Sequence, residues 1–380
     1  MRQEFFKNAR RIVIKVGTSV LSEGGEISAV RVRALVAGLA HLKKRSGATQ
    51  LILVSSGAIG AALAFLKLKK RPGKIEELQA LAAIGQPRLM QLYMDAFRAE
   101  RMVPAQVLLT WQDLSGRARF ENTRRTLEQL VRQGAVPIVN ENDTVSTQEI
   151  EFGDNDQLSS MVASLFNADL LILLTDAEGL YSDLKAGPSS RLALVEDLNA
   201  EHFALVRDEK KAHTKGGMAS KLSAVQKALK AGIPCVMASG SNPKVLEKLF
   251  AGEDLGTLFL PKINRLSSKK HWIAYISKSE GTLVIDDGAR RALTQGGKSL
   301  LATGLVKASG HFEAGSAVVV RDAAGKTLGK GIVNFSSTDL VHIQGRRTGD
   351  WEKILGRPCS DEVVHRDNFV PADNLEGGAK

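Results

Sequence analysis

Two lysines in unusual settings are the first sign of chemistry in this chain of 380 residues. Lys15 lies near the end of an apolar run, residues 11–16, and Gly-Thr-Ser follows at 17–19. An unpaired ammonium group is costly to bury, so this lysine must meet an anion or simply reach solvent at the strand end. Lys221 lies in the first turn of a predicted helix, where its charge opposes the helix dipole and favours an anionic partner.

Two glycine-containing turns offer backbone N–H groups to an anion. Residues 55–58 (Ser-Ser-Gly-Ala) join an apolar run to a helical segment, and residues 215–218 (Lys-Gly-Gly-Met) precede the helix that carries Lys221. Free N–H groups at a helix N-terminus bind phosphates, and glycine lets the backbone come close to them. Each turn taken alone also fits an ordinary connection, the first one with a serine cap.

Carboxylates and amides are concentrated between residues 140 and 156. This stretch precedes the apolar helix predicted at 158–166 and ends in Asp154, Asn155 and Asp156. A polar loop of about 15 residues is long for a compact domain and is usually functional. Acids at a helix start also fit a simpler role, because the helix dipole stabilises them there.

Taken together, these residues predict phosphoryl transfer. A phosphoryl group in transfer needs positive charge on its oxygens and groups that hold donor and acceptor in line. Thr175 and Asp176, which follow the apolar run 170–174, could contact a nucleotide or cap a helix. The motifs GxxxxGK[ST] and GxGxxG are absent, and the His-Arg-Asp at 365–367 has too little chain after it for a kinase DFG.

The elements that must position these residues alternate between strand and helix. Amphipathic segments separate the apolar runs, as after Ser28, where apolar residues recur at helical spacing. The alternation predicts a three-layer α/β/α sandwich with a mostly parallel central sheet and right-handed crossovers. The apolar runs, typical of strands buried on both faces of such a sheet, are 11–16, 50–54, 103–109, 135–139, 170–174 and 233–238.

The pattern changes after about residue 260, which predicts a second domain. Residues 261–279 are predicted to be a linker with five basic residues, and 280–369 a small, mostly β domain. That domain is expected to contain one helix, at 287–295, and a hairpin turn at 322–325. Residues 1–260 form the first domain, and the glycine-rich tail 370–380 is expected to fray.

Composition restricts the class of protein. Hydrophobic residues make up 43% and charged residues 24%, which excludes a disordered chain or a fibre. Two distant cysteines exclude a disulfide scaffold and a zinc quartet, and they agree with a cytoplasmic location. The net charge is +11, and 13 basic and 13 acidic residues balance from residue 280 onward. The surplus therefore lies before that point and suits acidic ligands.

No targeting or membrane segment is predicted. The apolar stretch near the N-terminus is too short for a signal peptide. The uncharged run 47–66 is almost long enough to span a bilayer. Because Ser-Ser-Gly interrupts it and its first half is β-branched, a buried strand that turns into a helix explains it better.

Residues from about 11 to 260 resemble the amino acid kinase family, whose members phosphorylate carboxylates, carbamate or nucleotide phosphates with ATP. The resemblance rests on five motifs in the family's order, at 14–21, 55–58, 140–143, 153–156 and 216–218. These motifs are most similar to those of members that phosphorylate the γ-carboxylate of L-glutamate for proline synthesis. Residues from about 280 to 368 resemble the PUA domain that bacterial members of this kind often carry.

The resemblance implies substrates and residue roles. The substrates would be L-glutamate and ATP, with Mg²⁺ bound mainly through ATP, proline as an inhibitor, and a homo-oligomer (dimer or tetramer) as the assembly. Lys15 and Lys221 would stabilise the transferring phosphoryl group, and Asp154 would orient both lysines. Glutamate would be bound by Ser56, Asp143, Asn155 and Asp156. The nucleotide would be contacted by Lys15, Thr175, Asp176, Lys215, Gly216, Gly217, Met218 and Lys221.

Alternatives to this interpretation stay open. The family usually has threonine just before Gly-Gly-Met, whereas this chain has Lys215, which is expected to reach a phosphate or solvent. The acceptor could be N-acetylglutamate or aspartate, although the loop 140–156 and the PUA-like domain favour free glutamate. RNA binding by that domain is disfavoured because its charges balance and affinity for nucleic acid comes largely from basic charge. A catalytically inactive regulator is the third alternative.

Overall fold

The computed structural model describes residues 2–145, 155–206, 217–262 and 268–375. The chain folds into two units, one of Met1–Leu114 with Phe120–Arg265 and one of Ser115–Arg119 with Leu266–Lys380. The stretch 261–279, predicted as a linker, contains helical turns from residue 268 onward, and from Leu266 it belongs to the second unit.

Strands and helices alternate through the first unit, as the sequence predicts. The strands are β1 (Arg11–Val16), β2 (Ser22–Glu23), β3 (Glu26–Ile27), β4 (Gln50–Ser55), β5 (Pro104–Leu109), β6 (Val136–Glu141), β7 (Leu170–Thr175), β8 (Leu194–Val195), β9 (Cys235–Ser239) and β10 (Thr257–Phe259). The helices are α1 (Arg2–Asn8), α2 (Thr18–Leu21), α3 (Ala29–Arg45), α4 (Ala58–Phe65), α5 (Ile75–Ala99), α6 (Trp111–Ser115), α7 (Arg117–Arg132), α8 (Asn155–Leu165), α9 (Ala200–Ala204), α10 (Met218–Lys230) and α11 (Val245–Ala251).

Eight of these strands form one sheet in the order β5-β6-β4-β1-β7-β9-β10-β8. All neighbours are parallel except β9 and β10, which confirms the predicted mostly parallel sheet. Strands β8 and β10, only two and three residues long, were not predicted, because so short an apolar segment carries no period of its own. Strand β1 lies near the centre, between β4 and β7, and places Lys15 beside Val54 and Leu173.

The two faces of β1 are covered by different helices. Ile12, Ile14 and Val16 are buried in a core with residues of α3, α5 and α11. Because side chains alternate along a strand, Val13 and Lys15 face the other side, where α8 packs on β1 and α10 packs on α8. The sheet therefore lies between two helical layers, and Lys15 belongs to the face that α8 and α10 cover.

The uncharged run 47–66 forms β4 and α4, so the predicted strand that turns into a helix is confirmed. Among the described residues, no helix combines the length and the apolar character needed to cross a bilayer.

The second unit contains a five-stranded sheet in the order β12-β11-β13-β14-β15. Its strands are β11 (Ser279–Ile285), β12 (Leu305–Gly310), β13 (Ala317–Asp322), β14 (Thr327–Ile332) and β15 (Phe369–Pro371). Its helices are α12 (Ser268–His271), α13 (Asp287–Thr294), α14 (Ser337–Ile343) and α15 (Trp351–Leu355), and a π-helical turn lies at Trp272–Ile276. Strands β13 and β14 are antiparallel and joined by the predicted hairpin turn.

Two expectations for this unit are wrong. One helix was expected after residue 280, but α14 and α15 accompany α13, and helices of seven and five residues are too short to show a helical period. The first residues of the predicted tail are ordered, because β15 pairs with β14 and buries Val370, whereas residues 376–380 lie outside the described residues. The core of the unit includes Phe335 and Trp351, whose rings meet edge to face with centroids 5.5 Å apart.

Candidate active site

The polar residues predicted from the sequence meet at one edge of the large sheet. Strands β6, β4, β1 and β7 are neighbours and parallel, so their carboxyl ends lie side by side. Open α/β sheets bind their ligands in the crevice outside these ends. Near this edge lie Asn140, Ser55, Lys15 and Thr175.

A buried carboxylate joins the two predicted lysines. Asp156, the second residue of α8, has its Oδ1 2.5 Å from the Lys15 Nζ and its Oδ2 3.3 Å from the Lys221 Nζ. The Asp156 side chain is fully buried, and the Lys15 and Lys221 side chains are 7% and 12% exposed. In the described part of the site, two ammonium groups therefore surround one carboxylate at a place that is nearly closed to water.

Two helix N-termini bring this triad together. Asp156 and Lys221 lie in the first turns of α8 and α10, which pack against each other. The Gln157 Nε2 donates to the Ser220 carbonyl at 3.1 Å and links the two helices. A carboxylate is stabilised by the dipole at a helix start, whereas Lys221 is not. Asp156 therefore supplies the anionic partner that the position of Lys221 favours.

A second cluster beside the triad consists of hydrogen-bonded amides. The Asn155 Nδ2 donates to the Asn140 Oδ1 at 2.9 Å, to the Ser56 Oγ at 2.8 Å and to the Ser55 carbonyl at 3.0 Å. The Asn140 Nδ2 in turn donates to the Gln86 Oε1 at 2.9 Å. The Asn155 Oδ1 is buried and has no hydrogen-bond partner among the residues that the structure describes. This cluster therefore holds a buried acceptor that a ligand can use.

Tyr93 contacts the same cluster through Ser55. Its hydroxyl and the Ser55 Oγ are 2.7 Å apart, and its ring is fully buried on α5. Burial raises the pKa of the Tyr93 phenol well above its ordinary value, so the hydroxyl remains neutral.

Glycines keep the backbone close to the site. A Cβ on Gly17 would lie 3.6 Å from the Lys15 Nζ, so glycine leaves that side of the ammonium group open. Gly57 precedes α4 with φ of +113°, and a Cβ there would lie only 3.0 Å from the Ile27 Cδ1. Both the positive φ and the close approach favour glycine at this turn.

The remaining predicted site residues are less closely joined. The Thr175 Oγ1, at the end of β7, donates to the Asp176 Oδ1 at 2.8 Å, and Asp176 is exposed. Asp143 follows β6 by two residues and is half-buried. Gly217 caps α10 with extended backbone, and Met218 is the first residue of that helix.

Three predicted residues, Asp154, Lys215 and Gly216, lie outside the described residues. The expectation that Asp154 orients both lysines stays a prediction. Within the described part of the chain, the carboxylate that contacts both lysines is that of Asp156, which the sequence assigned to glutamate instead.

Two family models match this chain, one in each of its two units. The model of the amino acid kinase family matches residues 10–239, well over half of the chain. The chain belongs to the amino acid kinase family. A PUA domain model matches residues 281–355 of this amino acid kinase, in the second unit. The fold class and the family predicted from the sequence are both confirmed.

This amino acid kinase is similar along its whole length to proteins named glutamate 5-kinase. It is 42% identical over 373 residues to the one from Geobacter sulfurreducens, covering 97% of this chain and 100% of that protein. It is 42% identical to that of Caldanaerobacter subterraneus subsp. tengcongensis, covering 97% and 99%. It is 43% identical to that of Geobacter metallireducens, covering 97% and 100%.

Two residues that contact the site, Gln86 and Tyr93 on α5, were not predicted from the sequence. Asn140, in β6, belongs to the polar stretch and to the motif at 140–143, but no role was predicted for it. One signal was available for Gln86, since Gly85 and Pro87 flank it inside a helix, where both residue types are unfavourable. Tyr93 gave no signal, because an aromatic residue on an apolar helix face is typical of an ordinary core.

Among the described residues, no group of three or more His, Cys, Asp or Glu side chains is placed to hold a metal ion. Mg²⁺ was expected to bind mainly through ATP, and this stays a prediction.

Proposed function

We propose that this chain transfers the γ-phosphoryl group of ATP to the γ-carboxylate of L-glutamate, giving ADP and γ-glutamyl phosphate, the first step of proline synthesis. The observation that carries the proposal is the convergence of Lys15 and Lys221 on the buried Asp156 at the carboxyl edge of the sheet. The full-length similarity to proteins named glutamate 5-kinase supports the choice of acceptor.

The chemistry needs positioning and charge rather than a general base. The reference pKa of a glutamate carboxyl is about 4.3, so the acceptor is already ionised near neutral pH. The transferring phosphoryl group carries its charge on three equatorial oxygens, and fixed positive charge stabilises it in a site with little water. Lys15 and Lys221 provide that charge, and Asp156 keeps the two ammonium groups together despite their mutual repulsion.

The amide cluster is suited to the amino acid. The buried Asn155 Oδ1 accepts a hydrogen bond from a ligand, and the donor that free glutamate offers is its α-ammonium group. The Ser56 hydroxyl, held by Asn155, lies beside it, and Asp143 is assigned to the same substrate. Asp154 keeps the role that the resemblance implies and orients Lys15 and Lys221 in this proposal.

The nucleotide lies on the other side of the triad in this proposal. ATP is contacted by Thr175 and Asp176 at the end of β7 and by Gly217 and Met218 at the start of α10. Lys215 and Gly216, which precede them in the sequence, are assigned to the nucleotide as well. Mg²⁺ arrives with the nucleotide and neutralises part of the phosphate charge. The chain's own contribution is to hold the phosphates against Lys15 and Lys221.

Regulation and location complete the proposal. Proline inhibits the enzyme, and the PUA-like domain, whose charges balance, regulates or stabilises it rather than binding RNA. The enzyme is a cytoplasmic homo-oligomer.

Trapping of the acyl phosphate tests the proposed reaction. The purified protein is incubated with ATP, Mg²⁺ and hydroxylamine, together with L-glutamate, N-acetylglutamate or L-aspartate in parallel. Hydroxamate from glutamate is expected, and hydroxamate from N-acetylglutamate alone would overturn the choice of acceptor. Lys15→Met should abolish the signal, whereas Lys44→Met, a change at an exposed lysine on α3, should leave it unchanged.

A further inference from the structure

We propose that Gln86 is a positioning residue that fixes the orientation of the Asn140 and Asn155 amides and thereby sets the affinity for the free amino group of the substrate. This inference rests on the proposed function. Gln86 lies on α5, and its hydrogen bond to the site, among the described residues, is the one with Asn140. The sequence around Asn140 gives no sign of this contact, because 54 positions separate Asn140 from Gln86.

The backbone of α5 is adapted to place Gln86. A Cβ on the preceding Gly85 would lie 1.8 Å from the Ala58 carbonyl oxygen, so only glycine allows α5 to lie directly on the first turn of α4. That turn follows Ser56 and Gly57, which belong to the site. Gln86 is 9% exposed and lies where α5 is held closest to the site.

The hydrogen bond to Gln86 supports one orientation of the Asn140 amide. The Asn140 Nδ2 donates to the Gln86 Oε1, so its Oδ1 is left to accept from the Glu141 N–H and from the Asn155 Nδ2, each at 2.9 Å. If the Asn140 amide turned over, its NH₂ group would face two other donors. The Gln86 acceptor and the backbone N–H of Glu141 therefore favour the same orientation.

The orientation of Asn155 follows from that of Asn140. Three oxygens surround the Asn155 Nδ2 at 2.8 to 3.0 Å, and one of them is the Asn140 Oδ1. The Asn155 Oδ1 must then point away from them, and it remains buried without a hydrogen-bond partner in the described part of the chain. A buried acceptor left unmatched is costly, and a ligand that donates to it recovers that cost. Free glutamate can do so through its ammonium group, which is a stronger donor than an acetylated amide.

Steady-state kinetics of Gln86→Met tests the inference. Methionine has a similar length and cannot accept the Asn140 hydrogen bond. We expect the KM for glutamate to rise about tenfold, as for the loss of one hydrogen bond, while kcat and the KM for ATP stay within twofold. Gln86→Glu retains an acceptor oxygen whether or not its carboxyl is ionised, so its KM for glutamate should stay within about threefold of wild type. Gln91→Met, on the exposed face of the same helix, is the matched control and should match wild type.

A double-mutant cycle separates this role from a general loss of structure. In an Asn140→Ala background, Gln86→Met should change the KM for glutamate less than twofold, because the interaction through which it acts is already absent. A tenfold effect that persists in that background would overturn the inference. Equal losses in kcat and in both KM values would show a merely structural role and would overturn it as well.

The outcomes also distinguish this inference from the proposed function. If wild type makes hydroxamate from glutamate and Gln86→Met has an unchanged KM, only the role of Gln86 is refuted. If wild type makes no hydroxamate from glutamate, the proposed function itself fails, and the role of Gln86 fails with it.

Discussion

Replacement of Asp156 by asparagine removes one acceptor from the triad without changing its shape. The carboxylate serves Lys15 with one oxygen and Lys221 with the other. Asparagine keeps one oxygen and replaces the other with an NH₂ group, which cannot accept from an ammonium group. Lys15 has the shorter contact and the more buried side chain, so it should retain the oxygen. Lys221 should therefore lose its contact with residue 156 in the Asp156→Asn variant.

The expected size follows from the geometry. At 3.3 Å and an effective dielectric constant of about 20, the Coulomb attraction between Lys221 and Asp156 is about 5 kcal/mol, and desolvation offsets part of it. Removal of one partner from a buried pair costs about 3–5 kcal/mol of stability. Loss of one preorganised group at a transition state lowers kcat by about 100- to 1,000-fold. We expect Asp156→Asn to lose about 3–5 kcal/mol of stability and to have a kcat about 100- to 1,000-fold below that of wild type.

The assay compares kcat and thermal unfolding of Asp156→Asn, Lys221→Met and the double variant. Because Asp156→Asn is expected to act on kcat by displacing Lys221, and Lys221→Met removes that charge altogether, the double variant should have a kcat within about threefold of Lys221→Met. Asp95→Asn, a change at an exposed carboxylate on α5, is the control and should match wild type. A kcat near wild type in Asp156→Asn, or losses that multiply in the double variant, would refute the reasoning.

Three further predictions concern packing and titration. Gly85→Ala should lower the free energy of unfolding by about 3 kcal/mol, because the added Cβ would overlap the Ala58 carbonyl. Chemical denaturation measures this loss, and Gly73→Ala is the control because a Cβ at Gly73 would have no atom within 4 Å. Tyr93→Phe should cost about 1 kcal/mol, equally at pH 6 and pH 9, since the raised pKa keeps the phenol neutral; a difference that grows with pH would contradict this. Burial lowers the pKa of Lys330 from 10.5 to about 8, so between these values the unfolded chain binds more protons and stability rises with pH. Lys330→Met should remove about 1–2 kcal/mol of that rise in unfolding experiments from pH 7.5 to 10, whereas Lys326→Met, at an exposed lysine, should keep it.

The expected effect at Lys330 comes from its surroundings in the second unit. It lies on β14, where its Nζ donates to the Ser277 carbonyl after the π-helical turn Trp272–Ile276. That hydrogen bond favours the charged form of Lys330 and opposes the effect of burial.

The strands of the first unit could be predicted from the sequence because their signal is local. A run such as 170–174 is apolar at every position, and only a strand buried on both faces explains such a run of this length. Short elements such as β8 and α15 carry too few residues to show a period, and they form because neighbouring elements offer hydrogen bonds and a core. The same reason explains why the linker and tail of the second unit were predicted poorly.

Residue type and position determined that Lys15 and Lys221 needed an anion, since the cost of burying an ammonium group does not depend on the fold. Which anion they meet was decided by tertiary structure. The sequence offers Asp154 and Asp156 two positions apart, and this spacing alone does not say which carboxylate reaches a lysine. The packing of α8 on β1 and α10 brings Asp156 to both lysines. The close approach of α5 to α4 brings Gln86 to the amides, and contacts between residues so far apart in sequence leave no local pattern that identifies both partners.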